Sequence, residues 1–186
     1  MALPFPELPI DLARLRLRRL EVSDIDALFA IYADKEVSRY LSTTPMTARA
    51  EAEAFFGRIR AGYDNGSSWQ LAVERREDGV LMGNCLLFHF HEQSRRAEIG
   101  YTLGRAYWSQ GYMREALVGL IGIAFGALDL NRLEADIDPR NDPSARILER
   151  LGFRKEGQLV ERWIVAGEVS DTVYYGLLRR SWVAPA

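Results

Sequence analysis

The residues best suited to chemistry lie where a glycine comes directly before an amphipathic helix pattern. Residues 108–117 read Trp-Ser-Gln-Gly-Tyr-Met-Arg-Glu-Ala-Leu, and apolar side chains then recur at three- and four-residue steps. The first turn of a helix leaves backbone N–H groups without partners and carries the positive end of the helix dipole. A phosphate group is well held there, so this segment predicts a ligand that bears phosphate.

The elements that must position this segment alternate between strand and helix patterns. The sequence predicts seven strands, at residues 14–20, 69–73, 80–91, 96–103, 132–138, 153–166 and 170–178. It predicts four helices, which start at Ser23 or Asp24, at Thr47, at about Gly111, and at Pro143 after Asp142. The last of these helices ends at Gly152, since glycine favours the position that follows a helix.

The order of these elements predicts an α/β (α+β-like) fold with a mixed, mostly antiparallel central sheet of about seven strands and about four helices. We expect residues 1–186 to form one domain, with a core from about residue 10 to residue 182, because 186 residues are enough to bury a single core. The helix after Gly111 connects two strands that we expect to be parallel neighbours. Its start therefore lies at the sheet edge where ligands bind in α/β proteins.

Composition and charge argue against several classes of protein. Hydrophobic residues make up 48% of the chain and charged residues 27%, which argues against disorder and membrane spans. The net charge of −2 and the lack of a Cys/His zinc module argue against nucleic acid as a partner. The start of the chain is a proline-rich stretch that we expect on the surface, and it lacks the basic and apolar regions of a leader. We therefore expect a cytoplasmic protein with no membrane partner, and its single cysteine excludes an intrachain disulfide.

Three other patterns have both a chemical and a structural interpretation. The alternating arginines of residues 14–18 could bind an anion, but any half-buried strand with a solvated face gives the same pattern. His89 and His91 share one predicted strand face, yet a metal pair lacks an evident third ligand, so no metal is expected. Cys85 could carry an acyl group, although a thiol among apolar strand residues is more often part of the core.

Several short segments occur in an order that is more specific than any one of them. They are Arg16-Leu-Arg18 with Asp24, Glu98-Ile-Gly-Tyr101, Tyr107 through Ala116, Asn141-x-x-Ser144, Leu151-Gly-Phe153, Glu156-Gly157 and Asp171. With these segments the chain resembles the GNAT superfamily of acyl-CoA-dependent N-acyltransferases over about residues 10 to 182. Within that superfamily it resembles the branch typified by the ribosomal-protein alanine N-acetyltransferases (RimJ/RimL-like).

The resemblance implies the GNAT fold, in which the sheet splays between the fourth and fifth strands, and it implies acetyl-CoA as cofactor with CoA as product. The family's pyrophosphate loop reads Arg/Gln-x-x-Gly-x-Gly/Ala. In this chain the loop consists of Trp108, Ser109, Gln110, Gly111, Tyr112 and Met113. Trp108 and Met113 depart from the family pattern, but the loop acts mainly through its backbone N–H groups.

The same resemblance implies contacts for the rest of the cofactor. The pantetheine arm would pair with the backbone near Tyr101 and Leu103, where one N–H would hold the thioester oxygen as it gains charge. Asn141 would contact an amide of the cofactor or, as the alternative, fix the loop before the second helix.

Transfer of an acetyl group to an amine moves two protons, because the ammonium must lose one and the departing thiolate must gain one. Glu98 is the candidate base, directly or through a water, or else a buried carboxylate that holds the sheet together. Ser144 is the candidate that protonates or orients the thiolate, or else a residue that satisfies the start of a helix. Other branches of the family use a tyrosine where this chain has Leu148.

Glu161 is a second candidate base. In the branch that the chain resembles, a glutamate stands where this chain has Trp163, and Glu161 lies two residues earlier. Residues two apart on a strand share one face, so Glu161 could act as the base or bind a cationic acceptor. Tyr40, Trp69 and Trp163 are further candidates to shape the acceptor pocket.

The sequence thus predicts an acetyl-CoA-dependent N-acetyltransferase that passes the acetyl group directly to a primary amine in a ternary complex. The amine belongs to a protein N-terminus or to a small molecule. The alternative is a CoA-binding regulatory or scaffold protein that has lost catalysis. The loops that select the acceptor vary within the family, so the sequence leaves the acceptor and the oligomeric state open.

Overall fold

The computed structural model describes residues 6–184. Residues 1–5 and 185–186 lie outside the described part. The proline-rich start of the chain lies partly within residues 1–5. Its predicted surface position and its predicted lack of a leader therefore fall partly outside the described residues.

Within residues 6–184, eight strands form one sheet at the centre of the fold. They are β1 (Ile10–Asp11), β2 (Leu15–Arg19), β3 (Ser68–Arg75), β4 (Leu81–His91), β5 (Arg96–Leu103), β6 (Arg132–Ile137), β7 (Arg154–Val165) and β8 (Glu168–Leu178). Their order is β1-β2-β3-β4-β5-β6-β8-β7, and every neighbouring pair is antiparallel except β5 and β6. The predicted mixed, mostly antiparallel sheet is confirmed. The additional strand, β1, is too short to show an alternating pattern.

The described residues also form five α-helices. They are α1 (Ile25–Ala33), α2 (Lys35–Ser38), α3 (Arg49–Asn65), α4 (Tyr112–Phe125) and α5 (Asp142–Arg150). Four of them correspond to the predicted helices, whereas α2 is a single turn and too short for a helical repeat. Among residues 6–184, none of the helices is long and apolar enough to cross a membrane.

The start of α3 differs from the prediction that Thr47 caps it. Ala48 occupies the cap position, and the Glu51 carboxylate accepts hydrogen bonds from the N–H groups of Thr47 (3.0 Å) and Ala48 (3.1 Å). The Thr47 hydroxyl also donates to Glu51, at 2.7 Å. The Glu51 carboxylate therefore satisfies N–H groups at the start of the helix, and the threonine hydroxyl donates to this carboxylate instead of capping α3.

Apolar clusters on the two faces of the sheet hold the helices in place. Neighbouring residues of β3 divide between them, because Leu71 belongs to one cluster and Ala72 to the other. The cluster under α4 and α5 includes Leu117, Leu120, Ile121, Leu133 and Leu148. The cluster under α1 and α3 includes Leu20, Leu28, Phe56 and Ile59. Burial of each large apolar side chain contributes about 1.5–3 kcal/mol, so the helices are firm supports for the sheet edges.

The strands β5 and β6 pair over only part of their length. The parallel register joins Arg96 with Arg132, Ala97 with Leu133 and Glu98 with Glu134. Past these residues β5 continues beside β4, while β6 continues beside β8. The two strands therefore diverge beyond Glu98, as the splay prediction requires, and the backbone of residues 99–103 faces an opening.

Candidate active site

A cleft of about 590 Å³ lies at the opening between β5 and β6. Its walls come from both strands, from residues 39–45 after α2 and from the β7–β8 hairpin. Glu98, Tyr101, Asn141 and Ser144 all line it. The fold therefore brings four of the residues singled out in the sequence to one place.

The glycine turn, residues 108–113, leads from a short 3-10 turn into α4. Ser109 and Gly111 both adopt left-handed backbone conformations, with φ angles of 60° and 79°. Within residues 6–184, the N–H groups of Gly111, Tyr112 and Met113 donate to no protein acceptor. They stand at the positive end of a helix of 14 residues, which is an arrangement that holds phosphate well.

Side chains fix the glycine turn from within the chain. The Trp108 indole N–H donates to the Leu103 carbonyl at 2.7 Å, and the Gln110 amide donates to the Ala106 carbonyl at 2.9 Å. Met113 is buried in the core. The two departures from the family loop therefore have structural tasks, since Trp108 ties the turn to the end of β5 and Met113 anchors α4.

Arg14 supports the same turn, and sequence reasoning missed its role. Its Nη1 donates to the Gln110 carbonyl at 3.0 Å, and its Nε donates to the Glu115 carboxylate at 2.7 Å. Its guanidinium also lies 4.5 Å from the centre of the Tyr112 ring. The alternation of arginines was the available signal, but the partners lie 96 and 101 residues along the chain.

The other two arginines of the alternation are also paired with carboxylates, which a solvated strand face does not imply. Arg16 Nε lies 2.7 Å from the Asp11 carboxylate. Arg18 donates to both oxygens of Asp24, at 2.7 and 2.8 Å. Neither arginine borders the cleft.

The hydroxyl oxygens of Ser144 and Tyr101 are 2.6 Å apart. The Asn141 side chain accepts a hydrogen bond from the Ser144 backbone N–H at 3.2 Å, so Asn141 caps α5 and the Ser144 hydroxyl does not. Leu148, in the next turn of the helix, is fully buried and has no proton to give. The hydroxyl of Ser144 is therefore held by Tyr101 at the cleft rather than used at the start of the helix.

Tyr101 keeps its proton in these surroundings. Burial raises the pKa of Tyr101 to about 12 from its ordinary value of 10.0, and the hydrogen bond with Ser144 opposes this rise by a smaller amount. A phenol that stays protonated can donate to Ser144. The sequence assigns a role only to the Tyr101 backbone, so this hydroxyl is an addition from the structure.

Glu98 lies where β5 and β6 begin to diverge, with 18% of its side chain exposed. Nδ1 of His89 lies 3.0 Å from a Glu98 carboxylate oxygen. The chain reaches this contact through a bulge in β4 between Phe88 and His91, where His89 has a φ angle of 50°. Glu98 thus borders the cleft and is paired with a histidine at the same time.

This bulge contradicts the predicted shared face of His89 and His91, because alternation of faces requires regular pairing. Nδ1 of His91 instead accepts a hydrogen bond from the Ser94 backbone N–H at 3.1 Å. Across the described part of the chain, no group of three His, Cys, Asp or Glu side chains could hold a metal ion. Cys85 lies in the core, where burial raises the pKa of its thiol to about 12.

The prediction that Glu161 shares a face with Trp163 is wrong. The pairing of β7 with β8 is irregular between Leu159 and Trp163, and Glu161 has a φ angle of 51° there. The Glu161 N–H donates to the Asp171 carboxylate at 2.8 Å, and its exposed side chain does not line the cleft, whereas Trp163 does. Trp69, another residue predicted to shape the acceptor pocket, is buried in the core and does not border the cleft.

Arg140 joins three segments around the outer side of the cleft. Its guanidinium donates to Asp138 and to Glu168, each at 2.6 Å, and lies 5.9 Å from the centre of the Tyr40 ring. The pairing with Arg140 holds the pKa of Asp138 below its ordinary value. The predicted pocket residue Tyr40 therefore borders the cleft together with Arg140, a residue that the sequence did not single out.

A sheet that opens between two parallel strands, with a glycine turn at the start of the helix that connects them, is the arrangement expected of acyl-CoA-dependent transferases. The acetyltransferase (GNAT) domain family matches residues 14–154. The chain therefore belongs to the GNAT family of acetyltransferases, and the protein is an N-acetyltransferase enzyme. It is 35% identical to the uncharacterized N-acetyltransferase p20 of Bacillus licheniformis, over 91% of this chain and 95% of that protein.

Relatives in the predicted branch of the family are also found. The chain is 27% identical to the ribosomal protein uS5 alanine N-acetyltransferase of Escherichia coli, over 70% of this chain and 68% of that protein. The structure of Mycobacterium smegmatis RimJ in complex with CoA-disulfide superimposes with a TM-score of 0.80 at 26% identity, covering 88% of this chain and 81% of that chain. The predicted GNAT fold and the resemblance to this branch are confirmed.

Proposed function

We propose that the protein transfers an acetyl group from acetyl-CoA directly to a primary amine while both substrates are bound. The observation that carries this proposal is that Glu98 and the Ser144–Tyr101 hydroxyl pair border one cleft. A carboxylate can take a proton from an ammonium, and a hydroxyl can give one to a thiolate. Each of the two proton transfers that the reaction requires thus has a candidate group.

The positions of these groups on β5 support transfer in a ternary complex. Glu98 and Tyr101 are three positions apart on a regular strand, and an odd separation puts side chains on opposite faces. Tyr101 packs against the cluster under α4, whereas the neighbouring Thr102 contacts Tyr32 of α1. An amine and a thioester can therefore approach the opening from opposite faces of the sheet and meet there.

The glycine turn and the open edge of β5 fit the cofactor. The free N–H groups of residues 111–113 and the start of α4 would hold the pyrophosphate, with a contribution from the helix dipole of about 0.3–2 kcal/mol. The open backbone of residues 99–103 would pair with the pantetheine arm, as the family resemblance implies. When bound, acetyl-CoA supplies the acetyl group as a thioester.

Each side chain of the cleft then has one task. The Glu98 carboxylate accepts a proton from the acceptor ammonium and so frees the lone pair of its nitrogen. The Ser144 hydroxyl donates a proton or a hydrogen bond to the departing sulfur. The Tyr101 phenol donates to Ser144 and keeps the serine hydroxyl oriented.

The acceptor that we propose is the primary amine of a protein N-terminus or of a small molecule. The name of the Escherichia coli relative gives an alanine of ribosomal protein uS5 as the acceptor of that enzyme. In this chain Glu98 and Asp136 both line the cleft and offer carboxylates to an ammonium, and Arg39 and Arg162 line it as well. The positive charge of Arg140 is already neutralised there by two carboxylates.

A panel of acceptors with detection of free CoA tests this function. The panel contains peptides that begin with alanine or serine, polyamines, amino acids and aminoglycosides, and each has its N-acetylated form as the control. We expect CoA release with at least one free amine and none with the blocked forms. Calorimetry with acetyl-CoA and with CoA is the second measurement, and failure of both to bind at submillimolar concentration would overturn the cofactor assignment.

A further inference from the structure

His89 contacts the candidate base Glu98 and has no role in the proposed transfer. Its Nδ1 lies 3.0 Å from a Glu98 oxygen, and 68% of its side chain is exposed, against 18% for Glu98. Both residues line the cleft. The pair therefore links a partly buried carboxylate, at the place where the amine would react, to bulk water.

The backbone around His89 is built to make this contact. A regular strand would alternate its side chains, but β4 has a bulge between Phe88 and His91, and His89 has a φ angle of 50°. A positive φ is uncommon outside glycine, although histidine adopts it more often than most residues, and bulges redirect side chains next to active sites. The His89 ring also packs against the Phe88 ring, with centres 4.6 Å apart. The position of the imidazole is thus fixed by both backbone and packing.

The charged groups on the strands and turn next to this pair make other contacts, and Asp136 and Arg162, which also line the cleft, form no ion pair with Glu98 among the described residues. Arg96, opposite His91 in the register, donates to Glu134 at 2.6 Å. Glu134 also accepts from Arg132 at 2.8 Å, and His91 is bound to the turn through the Ser94 N–H. Glu92, in the turn after β4, is likewise engaged. Among the described residues, His89 is therefore the ionisable side chain that contacts Glu98.

We propose that His89 carries the acceptor's proton from Glu98 to solvent, an inference that rests on the proposed role of Glu98 as base. The ammonium N–H bond breaks and the proton moves to a Glu98 oxygen. For this step the ring is in its Nε2–H tautomer, so that Nδ1 is free to accept the proton from the Glu98 oxygen while the Nε2 proton leaves to water. The ring is then in the Nδ1–H tautomer, and water must take the Nδ1 proton and return one to Nε2 before the next turnover. One proton leaves the amine, one reaches water, and exchange with water resets the exposed ring. His89 is a positioning residue, because it touches Glu98 and not the amine.

Kinetics of two variants and the wild type test this role, with the acceptor that the panel identifies. General acid–base groups contribute about 10²–10⁴-fold, and a residue that acts through the base contributes less, so we expect His89→Gln to lower kcat about tenfold. We expect the lost rate to return as imidazole buffer is added, because a small base can take the proton from Glu98. The wild type and the control His91→Gln should show full rate and no dependence on buffer concentration.

A second readout does not depend on turnover. The chain contains two histidines, so the imidazole nitrogen NMR signals of His89 and His91 are assigned from the two single variants. We expect Glu98→Gln to move the Nδ1 signal of His89 and to leave that of His91 in place. Retention of CoA binding, measured by calorimetry, shows that each variant is folded.

The outcomes separate this inference from the proposed function. If Glu98→Gln is impaired while His89→Gln has the wild-type rate, or is slow without rescue by buffer, the proton path through His89 is overturned and Glu98 stays as the base. If Glu98→Gln has the wild-type rate, the proposed base is wrong and the path through His89 fails with it.

Discussion

The proposed cofactor side, at the glycine turn, and the proposed acceptor side, in the cleft, use different parts of the chain. On the proposed cofactor side the candidate binding groups are backbone N–H groups, and the φ angles of Ser109 and Gly111 set their direction. On the acceptor side the groups are side chains, namely Glu98 with its partner His89, and Arg140. A site made of backbone tolerates side-chain replacement, whereas a site made of side chains changes with each one of them.

Under this proposal, Trp108 and Met113 can replace the family's usual residues because the loop would bind through its backbone. Both side chains support the turn, since the Trp108 indole donates to the Leu103 carbonyl and Met113 is buried in the core. The difference between the two sides also predicts two distinct responses to mutation. Changes on the cofactor side should alter affinity for CoA, and changes on the acceptor side should alter the rate of transfer or the affinity for the amine.

The largest effect that we expect comes from Glu98→Gln, which removes the base and keeps the shape of the side chain. General base catalysis contributes about 10²-fold or more, so we expect kcat to fall about 100-fold. The affinity for acetyl-CoA, measured by calorimetry, should stay at the wild-type value because the glycine turn is untouched. The matched control is Glu161→Gln, since that exposed carboxylate does not line the cleft.

Equal losses in the two glutamate variants would contradict this assignment. They would mean that kcat depends on the negative charge of this part of the sheet and not on proton transfer at Glu98. A loss of CoA affinity in Glu98→Gln would contradict the separation of the two sides.

The second prediction concerns pH and the buried phenol of Tyr101. Its pKa of about 12 in the folded state exceeds the ordinary value of 10.0, so the unfolded chain loses this proton first as pH rises. The stabilisation is complete below pH 10.0 and is lost as pH rises towards about 12. We expect the free energy of unfolding, from urea titrations, to fall more steeply in the wild type than in Tyr101→Phe, by about 1.4 kcal/mol per pH unit.

Comparison of these two proteins removes the contribution of Cys85, whose thiol pKa is also raised to about 12 and which titrates equally in both. Parallel slopes would show that burial does not raise the pKa of Tyr101, and would contradict the desolvation of its phenol beside Ser144.

The third prediction tests the Ser144 hydroxyl, which lies at the cleft beside the Tyr101 hydroxyl. We expect Ser144→Ala to lower kcat about tenfold, a loss below the usual range for a general acid because water can replace the hydroxyl. The α5 cap should survive, since Asn141 accepts from the backbone N–H of residue 144 and not from its side chain. Steady-state kinetics measure the loss, and Ser170→Ala is the control because Ser170 also lines the cleft. An unchanged kcat in Ser144→Ala would remove the proposed donor.

The fourth prediction addresses the backbone of the cofactor side. A side chain at Gly111, where φ is 79°, costs about 1–2 kcal/mol in the left-handed region, so we expect Gly111→Ala to weaken CoA binding about fivefold. A Cβ there would lie 3.5 Å from Arg14, which is an ordinary contact, so strain and not collision causes the loss. The rate at saturating acetyl-CoA should not change. Gly167→Ala imposes the same strain at φ 83° in the β7–β8 hairpin and should leave CoA affinity unaltered.

Local signals were enough to predict the helix starts beside the proposed cofactor site. Gly111 and Pro143 mark these starts through short-range backbone chemistry, whereas the splay followed from the family resemblance and the cap at Asn141 from the structure. The acceptor side depended on bulges, which break the two-residue alternation that a strand prediction assumes. For this reason the alternation pattern places His89 and Glu161 on strand faces that they do not occupy.

Contacts between residues far apart in the sequence were the other feature that the sequence did not predict. A carboxylate 101 residues from Arg14 determines what that arginine does, and neither the spacing nor the composition of the chain contains this distance. The same holds for the contact between Ser144 and Tyr101, which lie 43 residues apart on different elements. The residue types of a site can thus be found from sequence, while their pairing follows from the register of the sheet.

The smallest effect that we expect is on the acceptor side, at Arg140. Its ion pairs with Asp138 and Glu168 are half-exposed, with 52% of the arginine side chain accessible, and solvent screening makes such pairs weak. Arg140→Gln should therefore raise KM for the amine about threefold by loosening the three segments that it joins, with CoA affinity unchanged. Arg150→Gln, at the exposed end of α5, is the control. A larger change in CoA affinity than in the amine KM would show that the two sides of the cleft are coupled through the loop that follows β6.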